Sequence, residues 1–237
     1  MTPSSRRTRV PPTPGRPGLL ALGPVEQLRA GRLGRRLVQL LVGLLLYGAS
    51  LAMLVRGTLG LAPWDVLHSG LVRHLPVTLG QMVVLASVVV LLLWIPLRER
   101  PGLGTLANAV LVGVALDLTL AVLAEPSSTA ARIGLVVGAV LLNGVATALY
   151  IGAQLGPGPR DGLMTGLARR TGLSLRLVRT CLEVAVVVAG VLLGGTLGVA
   201  TVLYALAIGP VAQAALPHVL VNLRPVGHPH GQSPEEA

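Results

Sequence analysis

The chain has 237 residues, of which 52% are hydrophobic and 12% charged, and its formal net charge is +10. All nineteen basic residues are Arg, which excludes a Lys-bearing phosphate loop and a Lys Schiff base. They stand beside apolar runs, as membrane flanks do, so no nucleic-acid partner is expected. The single Cys181 excludes an internal disulfide and a Cys-rich metal site, and its apolar surroundings suggest a small buried side chain.

Residues 1–31 are rich in Arg, Pro and Gly and hold too little apolar surface to offset chain entropy, so a disordered cytoplasmic tail is expected there. Arg6-Arg7 resembles a twin-arginine start, but Pro-rich sequence follows, and a cleaved signal peptide is not expected. The membrane part divides into residues 32–124 and 132–217, followed by a polar tail at 218–237. Spanning helices are predicted over 37–55, 77–97, 103–123, 133–153 and 175–193, with a last one from about 199 to 216. With the N-terminus inside, sixteen Arg lie on inner flanks and only Arg56, Arg73 and Arg132 on outer ones. Both termini of a multi-pass plasma-membrane protein are therefore expected in the cytoplasm, where the Arg-rich flanks meet anionic inner-leaflet lipid.

Two polar breaks interrupt the apolar runs. One runs from Gly60 to Arg73, the other from Gly156 to Arg169, and they align at an offset of 96 residues with seven of fourteen positions identical. The same offset pairs Gly48 with Gly144, Gly102 with Gly198, Thr105 with Thr201 and Gly113 with Gly209. Each copy then carries three spans, and an odd number inserts the second copy upside down. The expected fold is all-α: six transmembrane helices as two inverted three-helix repeats, each with a short half-helix after its first span. Trp64 to Leu75 would make about 18 Å of helix against about 30 Å of hydrocarbon, so it cannot span.

Pro63 and Pro159 suit the first position of a helix, and Asp65 and Asp161 then fall in its first turn, where carboxylates are favoured. Gly60, Gly156 and Gly158 supply permissive backbone before the turn, and Gly70, Gly162 and Gly166 recur within the two motifs. All this can be helix punctuation. The functional alternative makes the motifs paired half-helices lining a solute or ion pathway, with Trp64, Asp65, His68, Arg160, Asp161 and Asn143 as its candidate residues. Asp117, Arg179 and Glu183 are candidate buried charges, the last two an ion pair at i, i+4. Asn108, Asn143 and Gln154 also suit interhelical hydrogen bonds. Gly190, Gly194 and Gly198 form a small-residue ridge, and Gly134 with Gly138 a shorter one, for packing within the chain or in a homo-oligomer.

No nucleophile or metal motif is present, and His228 and His230 lie in the tail, so neither an enzyme nor a metal or cofactor is expected. The segments Gly60 to His68 with Leu79-Gly80, Trp94 to Arg98 with Pro101 to Thr105, and Leu155 to Arg170 resemble the bacterial YczE/YitT membrane-protein family over about residues 35–217. Ala62 departs from the Gly expected before Pro-Trp-Asp. The resemblance implies a polytopic plasma-membrane protein and no particular reaction. The residues favour a permease-like protein for a small solute; the alternative is a non-transporting accessory or scaffold protein acting through helix contacts.

Overall fold

In a computed structural model, residues 23–223 are described, and every regular element among them is a helix. In chain order these are α1 (Pro24–Arg29), α2 (Leu33–Gly57), α3 (Pro63–Val72), α4 (Leu79–Leu97), α5 (Leu103–Val122), α6 (Thr129–Gly152), α7 (Pro159–Thr171), α8 (Leu175–Leu192) and α9 (Val199–Val219). Five of them, α2, α4, α5, α6 and α9, are long and apolar enough to cross a bilayer. Helix α8 lies where a further span is expected, but its first half carries Arg176, Arg179 and Glu183. Large apolar side chains such as Val88, Leu92, Leu141 and Leu206 are exposed on the outside of the bundle, where lipid covers them. Helix α1 occupies part of the stretch expected to be without structure. The remainder of that tail, and 224–237 with His228 and His230, lie outside the described residues.

The chain begins its helices where local chemistry satisfies free N–H groups. Thr78, Ser128 and Ser174 accept hydrogen bonds from the third residue of α4, α6 and α8. Pro63 and Pro159 open α3 and α7, where a missing N–H costs nothing. Asp117, a candidate buried charge, is half-buried on α5 and caps the neighbouring α4. Its carboxylate accepts from the Gly80 N–H at 2.8 Å and the Thr78 hydroxyl at 2.5 Å.

Helices α2 and α6 form the centre and run antiparallel. Contacts step from Arg36 with Ala153, through Gln39 with Leu149 and Ser50 with Asn143, to Gly57 with Val136. Helix α5 packs on α2 at Gly48, where a β-carbon would come within 2.5 Å of Val112 O; α9 packs on α6 at Gly144, where one would come within 2.3 Å of Val211 Cγ1. Outside this core, α3 packs on α8 and α7 on α4.

Residues 96 apart make equivalent contacts with partners exchanged. Gly104 N donates to Leu155 O at 2.7 Å, and Ala200 N donates to Leu59 O at 2.9 Å. Thr58 and Gln154, each just past a central helix, have φ of 54° and 55°. The Gln154 carbonyl accepts from Arg36 at 2.7 Å, and the Thr58 hydroxyl accepts from Arg132 at 2.9 Å. Gly60 and Gly156 follow with φ of 122° and 116°, a region open to Gly and strained for other residues.

The Gly ridge is used inside the chain. A β-carbon on Gly190 would meet the Leu67 backbone at 2.6 Å, and one on Gly198 the Leu59 carbonyl at 2.2 Å. Cys181, expected to be buried, is exposed: it falls on the outer face of α8, which packs only through its other side.

Candidate functional site

The first turns of α3 and α7 converge on a cavity of about 230 Å³, into which α2, α5, α6, α8 and α9 also contribute side chains. The volume is below the roughly 300 Å³ at which sites for drug-sized ligands begin, so its scale is that of a small solute. Pro63 and Trp64 line it from α3, and Pro159, Arg160, Asp161 and Met164 from α7. Trp64 and Arg160 are equivalent positions, 96 residues apart. They meet in a cation–π contact, with the guanidinium carbon over the indole ring 5.6 Å from its centroid.

Aromatic residues make up only 2% of the chain, yet all three of its tyrosines line this cavity. Tyr47 and Tyr150 are in edge contact, with centroids 6.0 Å apart and planes at 73°. The Tyr150 hydroxyl donates to Asp161 at 2.5 Å. The Tyr204 hydroxyl donates to the Asn143 carbonyl oxygen at 2.7 Å; the Asn143 amide donates in turn to Ser50 at 2.7 Å, and Ser50 to the Tyr47 carbonyl at 2.6 Å. Asn143 is therefore a fully buried link between α2, α6 and α9, placed behind the cavity wall and not in it.

The other candidate residues divide in the same way. Arg179 and Glu183 line the cavity and form the expected ion pair at 2.9 Å. Asp65 and His68 are 2% exposed and face each other at 2.8 Å. Since a carboxylate can only accept, His68 Nδ1–H is the donor. This leaves His68 Nε2 buried without a hydrogen-bond partner among the described residues. Asp65 thus stands one layer behind Trp64, whereas its equivalent Asp161 is in the cavity.

The glycines of the two motifs place these helices. Gly162 lies under Trp94, whose ring would be 2.0 Å from a β-carbon there, and the Trp94 indole N–H donates to the Pro159 carbonyl at 3.0 Å. Gly166 lies against Glu99, which pairs with Arg169 at 2.5 Å, while Gly70 lies against the Gly190 carbonyl. Thr105 donates to the Pro157 carbonyl at 2.7 Å and so fixes the turn before α7. Gly158 is the N-cap of α7, with a β-carbon position 3.0 Å from the Asp161 carboxylate.

Motif reasoning finds Trp64, Arg160, Asp161 and the Arg179–Glu183 pair, but it misses Tyr47, Tyr150, Tyr204, Thr147 and Gln213. The usable signal was scarcity. In a chain without Phe, three tyrosines inside apolar spans are each a costly hydroxyl needing a partner. Among the described residues no three His, Cys, Asp or Glu side chains converge, so none is assigned to a metal.

Comparison with known proteins places this site within a matched region. Residues 34–217 match a family of unknown function, DUF6198. An uncharacterised protein of Haemophilus influenzae is 41% identical over 186 residues, covering 76% of this chain and 85% of its own length. The uncharacterised membrane protein YczE of Bacillus subtilis is 32% identical over 177 residues, covering 74% and 82%. A second Bacillus subtilis protein, the uncharacterised YyaS, is 28% identical over 167 residues, covering 68% and 83%. No solved structure matches the chain.

Proposed function

The chain belongs to DUF6198, a YczE-like family of membrane proteins, and on that premise we propose that it is a permease-like carrier of a small solute. Its binding site is the cavity between α3 and α7. In this reading α8 is a sixth span, and residues 32–124 and 132–217 are inverted repeats about an axis in the membrane plane. Both termini face the cytoplasm of a plasma-membrane protein, with the Arg-rich flanks against anionic inner-leaflet lipid. The antiparallel α2–α6 pair and the exchanged contacts at a 96-residue offset support the inversion. The three charges of α8 suit a span facing a polar interior, because Arg179 and Glu183 line the cavity.

One observation carries the functional part. The start of each short helix, one from each half of the chain, opens into the same polar and aromatic cavity inside an apolar bundle. Helix punctuation alone would satisfy the N-terminal N–H groups without collecting all three tyrosines around them. A scaffold acting through the longer Gly ridge is less well supported, since Gly190 and Gly198 are already covered by α3 and the turn before it. The reading involves no covalent step and no enzyme chemistry.

The test uses proteoliposomes preloaded with a radiolabelled mixture of small acids, amides and amines. Protein-dependent efflux of at least one member is expected, and Asp161→Asn should abolish it without lowering the melting temperature in detergent. No protein-dependent efflux of any member, or unchanged efflux in the variant, would contradict the carrier reading.

A further inference from the structure

The charges around the cavity can be assigned to partners one by one. Asp161 accepts from Tyr150, Glu183 pairs with Arg179, and Asp65 is held by His68. Arg160 is left over: among the described residues its guanidinium makes no hydrogen bond and no ion pair, and it lies over the Trp64 ring with Asp65 and Asp161 within electrostatic reach but not bonded to it. Its position deepens the question. It is the second residue of α7, where the free N–H groups already bear partial positive charge, and although the carboxylates of Asp65 and Asp161 lie within electrostatic reach, neither takes up its donors. Arg is always protonated and offers a planar fork of donors.

We infer that the carried solute is a small organic carboxylate, bound by the Arg160 guanidinium with its organic body between Trp64 and the three tyrosines. The inference rests on the carrier reading above and names its substrate class. A carboxylate matches the planar fork of Arg160 in two parallel hydrogen bonds and gains from the N-terminal N–H groups of α7. The aromatic lining supplies apolar contact that an inorganic anion would not use. An organic cation would suit an aromatic cage equally well in isolation. Here, however, Arg160 already covers the Trp64 face and would repel it, Glu183 is paired with Arg179, and Asp161 accepts from Tyr150.

The experiment compares benzoate with benzamide and benzylamine, and propionate with propionamide and propylamine, at constant ionic strength on the purified full-length chain. Melting temperature and intrinsic fluorescence are read together, since Trp64 stacks on Arg160 and Trp64→Phe removes its part of the signal. The carboxylates should raise the melting temperature and change the fluorescence, while their amides and amines do not. Arg160→Gln should weaken carboxylate binding about thirtyfold or more, and Arg160→Lys should recover part of it. Equal stabilisation by amides or amines, unweakened binding in Arg160→Gln, or no stabilisation by any carboxylate would overturn the inference. The two readings fail separately. Carboxylate binding without efflux from proteoliposomes removes the carrier reading, whereas efflux of amines alone removes the carboxylate.

Discussion

Two arginines show how far residue type alone falls short of role. Arg36 is fully buried and donates to the carbonyls of Ala153 at 2.8 Å, Gln154 at 2.7 Å and Gln27 at 2.5 Å. It ties α1 and the end of α6 to the start of α2, with each of its three nitrogens donating to a carbonyl. Arg160 has its donors free and faces a cavity. In sequence both read as basic residues at the edge of an apolar run. Their difference is set by neighbours 96 to 118 positions away, Trp64 for Arg160 and Ala153 and Gln154 for Arg36, which no local pattern encodes. Arg36→Ala should therefore cost about 3 kcal/mol or more of stability, the scale of losing hydrogen bonds from a charged donor and leaving buried carbonyls unpaired. Arg36→Lys should recover only part, because one ammonium cannot reach three carbonyls held by a fork. Thermal melting in detergent measures both, and unchanged melting of Arg36→Ala would contradict the assigned role. Asp117 teaches the same lesson from the other side: a carboxylate within an apolar run reads as functional, and the structure spends it on the N-terminus of α4.

At the scale of elements, the short helices were legible because their signals are local. Pro at the first turn, Asp beside it and Gly before it place α3 and α7 where the structure has them. Their packing partners were not legible, since α3 rests on α8 and α7 on α4, across the halves of the chain. Close approach depends on glycines whose missing β-carbons face a neighbouring helix, chiefly its backbone at Gly48 and the Val211 side chain at Gly144. Gly48→Ala and Gly144→Ala should each cost about 1–3 kcal/mol by forcing α5 from α2 or α9 from α6. Gly134→Ala is the control. Nothing lies within 4 Å of its β-carbon position in α6, so it should be neutral or stabilising by up to about 1 kcal/mol. Equal destabilisation by all three would mean that helix contacts at Gly48 and Gly144 are not tight.

For the whole molecule, the 96-residue offset was the most informative sequence feature, and equivalent contacts recur at that spacing: Gly104 with Leu155, and Leu59 with Ala200. Hydropathy alone gave a weaker account, because α8 carries charges that a simple span avoids. The cavity lay beyond sequence reasoning for a geometric reason. Tyr47, Tyr150 and Tyr204 come from three helices, and nothing in their spacing announces that the helices converge.

The central claim is that the two short helices enter from opposite faces of the membrane and meet at one site. It is tested most directly by single cysteines at the exposed positions His74, just past α3, and Thr165, within α7, in a Cys181→Ala background. A membrane-impermeant maleimide applied to intact cells should label His74→Cys, and should label Thr165→Cys only after permeabilisation. Labelling of both from the same side would contradict the inverted arrangement and the carrier built on it.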